Sequence, residues 1–110
     1  MEELDLGYNW LRKIESNFFQ HLNNLKKLNL AFNQIEQIDS NGFQDLDNLE
    51  ELDLGYNKLT KIHSHSFQYL NKLRMLNLLG NQFVQVDQDV LKCLPNLNWG
   101  YPFKPKLDGL

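Results

Sequence analysis

The sequence predicts an α/β repeat fold: a stack of similar units, each with a short strand on one side and a winding return segment on the other. Three observations predict it. The segment LDLGYN at residues 4 to 9 recurs unchanged at 52 to 57, with LNLAFN at 28 to 33 and LNLLGN at 76 to 81, so each copy lies 24 residues from the next. At that offset apolar residues fill seven columns. An asparagine closes every copy, at Asn9, Asn33, Asn57 and Asn81.

The strand comes first in each unit. Leu4, Leu28, Leu52 and Leu76 alternate with Leu6, Leu30, Leu54 and Leu78, two positions on. Such spacing sends both side chains to one face of an extended backbone. Met1, Leu25, Leu49, Leu73 and Leu97 open the units. The asparagine stands where the chain turns inward, and its amide can donate to and accept from main-chain groups that no ladder reaches, so a buried asparagine row is expected. Beyond it lie Leu11, Ile35, Leu59 and Phe83, then Ile14, Ile38, Ile62 and Val86. Phe19, Phe43, Phe67 and Leu91 follow, and Leu22, Leu46, Leu70 and Leu94 complete the set. Their irregular spacing predicts a loosely wound return with a helical turn at most.

These columns resemble the leucine-rich repeat family, in its 24-residue typical form LxxLxLxxNxLxxIxxxxFxxLxx, found mostly in extracellular and receptor proteins of animals. The resemblance covers four units, residues 1–24, 25–48, 49–72 and 73–96. It implies a leucine-rich repeat solenoid with a concave parallel β-sheet, a convex side of loops and short helical turns, and a phenylalanine spine. It also implies an extracellular location and a recognition role, although a fold shared by many binders does not specify the partner.

The chain departs from that family at its ends, where cysteine-rich caps are usual. Met1 begins in phase with its own repeat. This start fits a fragment of a longer solenoid, or an end covered by another chain, and predicts water on one side of Leu4, Leu6, Leu11, Ile14, Phe19 and Leu22. Met1, Leu4 and Leu6 would then form a self-association edge. Residues 97–110 form a degenerate fifth repeat in which Gly100 and Pro102 replace inward leucines. Trp99, Tyr101 and Phe103 are expected to cap the core, with Pro102 and Pro105 stopping sheet growth.

Composition narrows the function. Eleven basic against fourteen acidic residues give a net charge of −3, which gathers neither nucleic acid nor an anionic membrane. The N-terminus lacks the basic and apolar regions of a signal peptide, and no long uncharged apolar run occurs, so membrane insertion is not expected. A single cysteine, Cys93, makes no intramolecular disulfide. It is read as a spare thiol or half of an intermolecular bridge, because no expected geometry brings His21, His63 or His65 to it as a base. Two imidazoles, at His63 and His65, make a poor zinc site, and Asp5 and Asp53 stand about 9–10 Å apart, too far to share one cation. No cofactor, metal or catalytic residue is therefore expected. No asparagine is followed by Ser or Thr two residues later, so N-glycan acceptors are absent.

Binding must then use the positions between the core columns. Outward on the sheet stand Glu3, Asp5 and Gly7, then Lys27, Asn29 and Ala31, Glu51, Asp53 and Gly55, and Met75, Asn77 and Leu79. The columns Glu3, Lys27, Glu51, Met75 and Glu2, Lys26, Glu50, Arg74 alternate in charge, which suits a self-neutralising ladder or a patch for a polar protein surface. Tyr8, Phe32 and Tyr56 sit beside small residues and should be accessible anchors for a protein partner. Lys27, Glu51 and Asp53 adjoin them, and Met75, Leu79, Trp99 and Tyr101 form a second candidate patch. The expected function is a non-enzymatic protein-recognition module of ligand-binding, receptor-like, innate-immunity or matrix type. The alternative is a self-associating structural unit, a homodimer paired through its open end or its concave face.

Overall fold

The computed structural model describes residues 1–83, 85–86, 89 and 94–97. Each repeat opens with a three-residue strand, β1 (Glu3–Asp5), β3 (Lys27–Asn29), β5 (Glu51–Asp53) and β7 (Met75–Asn77). These four form one parallel sheet in the order β1-β3-β5-β7. Register is strict: Leu4 pairs with Leu28, Leu28 with Leu52 and Leu52 with Leu76, each 24 positions on. This is the solenoid with a parallel sheet that the family resemblance implies.

The return side is more ordered than its sequence suggests. Two-residue strands β2 (Lys13–Ile14), β4 (Gln37–Ile38), β6 (Lys61–Ile62) and β8 (Gln85–Val86) recur at 24-residue steps, with one helical turn, α1 (Ser64–Phe67). They pair as β2-β4 and β6-β8, in two separate ladders. Two residues are too short for a period-2 signal, so these strands left no trace in the pattern.

The core lies between the sheet and the return. Leu25, Leu30, Leu49, Leu52, Leu54 and Leu73 are fully buried behind the strands. Phe19, Phe43 and Phe67 form the spine, with ring centroids 6.2 and 6.0 Å apart. Two residues expected to be open at the first repeat are in fact closed: Ile14 is 0% and Phe19 1% exposed. The ring of Phe18 stands edge-on over Phe19 at 4.8 Å, and the backbone of Gly42 lies against Ile14 so closely that an added Cβ would come within 3.0 Å of its Cγ2. Leu4, Leu6, Leu11 and Leu22 are half-buried, packed against the same core.

The asparagine row binds the stack. Asn57 Nδ2 donates to Leu30 O at 3.0 Å in the preceding repeat and to Leu54 O and Gly55 O, both at 3.1 Å, in its own. Its Oδ1 accepts from Ile35 N at 3.0 Å. Asn33 and Asn81 repeat the pattern one unit down and one unit up. Asn9 departs from the expected buried row. It is exposed and reaches only Leu6 O and Gly7 O of its own repeat, because no described repeat precedes it.

A second, finer alternation runs along the concave face. The first and third repeats carry Asp5 with Gly7 and Asp53 with Gly55; the second and fourth carry Asn29 with Ala31 and Asn77 with Leu79. Each carboxylate Oδ1 accepts from the main-chain N–H two residues on, and also from the amide of the next repeat, Asn29 Nδ2 at 3.1 Å and Asn77 Nδ2 at 3.0 Å. That crossing amide occupies the space beside the glycine. A Cβ on Gly55 would lie 2.9 Å from Asn77 Nδ2, and one on Gly7 would lie 3.1 Å from Asn29 Nδ2.

The two classes of asparagine should separate in stability. Asn57→Ala removes four bonds from a residue 6% exposed; Leu30 O, Leu54 O and Gly55 O each keep another donor, but Ile35 N loses its partner, and the variant is expected to cost about 2–3 kcal/mol. Asn9→Ala, with water able to replace its local bonds, should cost about 1 kcal/mol or less. Urea unfolding of both variants measures the difference, and equal costs would contradict the inter-repeat role.

Candidate partner-binding face

On the concave sheet, side chains of the third column meet in ion pairs. Lys27 Nζ lies 3.9 Å from Glu3 Oε1 and 3.5 Å from Glu51 Oε2. Arg74 reaches Glu50 at 3.3 Å and Glu51 at 3.2 Å, and Lys26 reaches Glu2 at 3.4 Å. These groups are mostly exposed, so each pair adds about 0–1 kcal/mol; what they fix is orientation, since Lys27 and Glu51 are each held from both sides. Asp53 is half-buried and its Oδ1 is engaged by Gly55 N and Asn77 Nδ2, so it holds the loop that follows β5 as well as facing outward. Met75 is half-buried at the far strand. Together the strands line a shallow hollow of about 430 Å³.

The eighth column forms an aromatic ladder where the strands run into the turn. Tyr8 and Phe32 stack with centroids 4.5 Å apart and planes 6° off parallel, and Phe32 and Tyr56 at 4.6 Å and 8°. The three rings remain 77%, 41% and 50% exposed. All three residues have positive φ, 57°, 59° and 55°, and the fourth member of the column is a glycine, Gly80, at φ 76°. Left-handed backbone is costly for a large side chain, about 1 kcal/mol per residue. Main-chain bonds hold it in place: Tyr8 N to Ala31 O at 3.0 Å, Phe32 N to Gly55 O at 3.0 Å and Tyr56 N to Leu79 O at 2.7 Å.

Magnitudes show what the rings contribute. Two stacked pairs return about 0.5–1.5 kcal/mol each, close to the strain of three left-handed residues. Stacking therefore offsets the backbone strain without exceeding it. Its far end is closed by Gly80, where a Cβ would come within 2.8 Å of Tyr56 Cγ.

Trp10, 80% exposed, joins this patch and was not among the residues singled out from sequence. With Tyr8, Phe32, Tyr56 and the amides of Asn33 and Gln34 it lines a second open hollow of about 370 Å³. The signal was available: the tenth column reads Trp10, Gln34, Lys58, Gln82, one aromatic among polar residues.

The remaining expectations fall elsewhere. Met1 is exposed, Leu4 and Leu6 half-buried, and β1 is an edge of the sheet with β3 as its neighbour. Trp99, Tyr101 and Cys93, and all of the expected 97–110 cap except Leu97, lie outside the described residues. His63 and His65 are exposed on the return side. Among the described residues no cluster of three or more His, Cys, Asp or Glu could hold a metal ion, and no helix is long and apolar enough to cross a membrane.

A stacked strand, an asparagine stitch and a winding return at 24-residue register define a leucine-rich repeat protein. The leucine rich repeat family matches residues 1–59, 23–83 and 47–99, and the chain belongs to that family. Among solved structures it is similar to a chain of the Drosophila Toll–Spatzle complex in its glycosylated form, at 29% identity and TM-score 0.78, covering 87% of this chain and 14% of that one. A further structure of that complex gives 26% identity and TM-score 0.81, with 89% and 13% covered. The leucine-rich repeat domain of APL1B gives 27% identity and TM-score 0.73, with 82% and 26% covered. This chain thus spans between about an eighth and a quarter of these three chains. No curated protein matches it.

The ladder's end makes a direct test of the strain argument. Gly80→Ala places a Cβ in the Tyr56 ring at positive φ, and is expected to destabilise by about 1–3 kcal/mol. Tyr56→Gly should be within about 1 kcal/mol of the unaltered chain, and should recover most of the loss when combined with Gly80→Ala. Thermal unfolding of the four chains closes the cycle.

Proposed function

We propose that this chain is a non-enzymatic recognition module, extracellular and of innate-immunity receptor type, that binds a protein partner on its concave face and along the aromatic ladder. The observation that carries this reading is the ladder itself: Tyr8, Phe32 and Tyr56 are exposed, stacked and backbone-strained. Strained residues held by a rigid frame are characteristic of binding sites. Stacked rings lose little entropy on contact and bury large areas, and Trp10 adds the kind of anchor that dominates interfaces. Lys27 and Glu51, held from both sides, supply directional charge at the adjoining strands, with Asp53 and Met75 beside them. The similarity to a chain of the Toll–Spatzle complex, described as a hub of development and innate immunity, supports the same class of function.

The test is affinity enrichment from extracellular fluid with the chain as bait, followed by titration of the retained protein. Tyr56→Gly and Trp10→Ala should each weaken that protein by about 1–3 kcal/mol, roughly 5- to 150-fold, with thermal stability nearly unchanged. Full affinity in the double variant would place the contact elsewhere.

A second reading is favoured by β1, which among the described residues has β3 as its one sheet neighbour and carries half-buried Leu4 and Leu6. Such an edge accepts another strand, so two copies could pair through Met1, Leu4 and Leu6. Light scattering during size exclusion should then show mass rising with concentration, and falling back when Leu4→Lys is introduced. A constant monomer mass up to about millimolar protein would exclude it.

A further inference from the structure

Among the described residues the return side is broken at one place. The β2-β4 and β6-β8 ladders are each in 24-residue register, but β4 and β6 do not pair, although the concave sheet runs unbroken past the same point. The two repeats are still joined just before the break, by Lys58 N donating to Ile35 O at 2.9 Å, as Gln34 N does to Leu11 O one repeat earlier. Beyond it they part. Between the first and second repeats, Glu36 N donates to Arg12 O and Asp39 N to Ile14 O, both at 2.9 Å. Among the described residues the counterparts one repeat later, Thr60 N to Glu36 O and His63 N to Ile38 O, are not made.

The sequence supplies the cause at two columns. Asp39 stitches the first two repeats, accepting from Ser16 N at 3.1 Å and pairing with Lys13 at 3.6 Å; in the next repeat that position is His63. Gly42 lets the second repeat close on Ile14, where a Cβ would lie 3.0 Å from Cγ2. Its counterpart Ser66 has that Cβ, and its Oγ donates to Ile38 O at 3.2 Å, taking the place of the missing main-chain bond. The serine stands as a wedge between the two repeats.

What remains is a notch of about 390 Å³, the less open counterpart of the concave hollow, with Leu59 and Phe67 buried at its floor beside half-buried Ile38. Glu36 stands on one lip, Lys61 and His63 on the other. Opposed charges across the mouth favour neither an anion nor a cation. The unmade ladder leaves two N–H donors and one carbonyl acceptor of strand type, in the spacing an extended peptide offers in return.

We propose that this notch is a second binding site, which takes a single apolar side chain of an uncharged, extended segment of a protein partner, with main-chain bonds from Thr60 N and His63 N and to Glu36 O. Main-chain pairing holds the segment, and the Leu59/Phe67 floor selects its side chain. The site lies within the array, between the second and third repeats, and does not depend on the aromatic ladder or on either terminus.

Two measurements on the whole chain test it. In amide hydrogen exchange, Thr60 and His63 should exchange roughly 100-fold or more faster than Glu36 and Asp39, their counterparts one repeat earlier; equal protection would show a closed ladder and overturn the proposal. The second is a ¹⁵N-resolved titration with the capped peptide acetyl-Thr-Leu-Thr-amide and its central-glycine analogue, up to about 10 mM. The leucine peptide should give saturable shifts at Glu36, Thr60, Lys61 and His63, at least roughly fivefold tighter than the glycine peptide. Thr60→Pro, which deletes a donor, and Ser66→Leu, which fills the floor, should each abolish those shifts. No shift at these amides, equal response to both peptides, or shifts at Tyr8 and Trp10 instead would each overturn it, and the unaltered chain alone decides if either variant does not fold.

Discussion

The whole array hangs on one amide. An isolated repeat of 24 residues has a three-residue strand and a return that cannot enclose its own leucines, so every repeat borrows its neighbour's surface. The asparagine at the inward turn makes that borrowing specific. Its amide donates to a carbonyl 27 residues back, and its oxygen accepts from an N–H 22 residues back, so one side chain fixes both the height and the rotation of a repeat on the one before it. The leucine columns fall into contact only because this spacing is set, and the phenylalanine spine follows from the same register.

Once the register is fixed, the remaining columns are free to differ, and the repeats depart from one another there. On the concave face the variation is electrostatic, with Lys27 shared between two glutamates. At the eighth column it is steric: three aromatic residues occupy a conformation that Gly80 adopts without strain. On the return side it opens a break, where Ser66 and His63 stand in place of Gly42 and Asp39. A scaffold with redundant stitches tolerates each of these local costs.

The legible part of the fold was whatever repeats. Burial needs the same residue type in every unit, so the leucine, isoleucine and phenylalanine columns announced the sheet, the core and the spine directly. Features set by a neighbour's presence were hidden. Asn9 has the same identity as Asn57 and a different environment, and Ile14 and Phe19 are covered by Gly42 and Phe18, both members of one variable column. The aromatic ladder was readable as a column, but its left-handed backbone was not, since only Gly80 hints at it. Trp10 escaped notice because its column is otherwise polar, and the break between β4 and β6 because it arises from two single-residue departures in opposite contexts.

The Asp–Gly and Asn–Ala/Leu alternation on the concave face sets a rule for how such an array can change length. Loss of the second repeat alone would bring Asp5 beside Asp53, two carboxylates with no amide between them and an empty space at Gly7. Loss of the third alone would set Asn77 against Ala31, whose methyl occupies the place that Gly55 leaves open for the crossing amide. Either junction is worse than the ones it replaces. Removal or duplication of two adjacent repeats preserves every Asp-to-Asn contact. On the concave face, therefore, the step that leaves these contacts intact is a pair of repeats, 48 residues long.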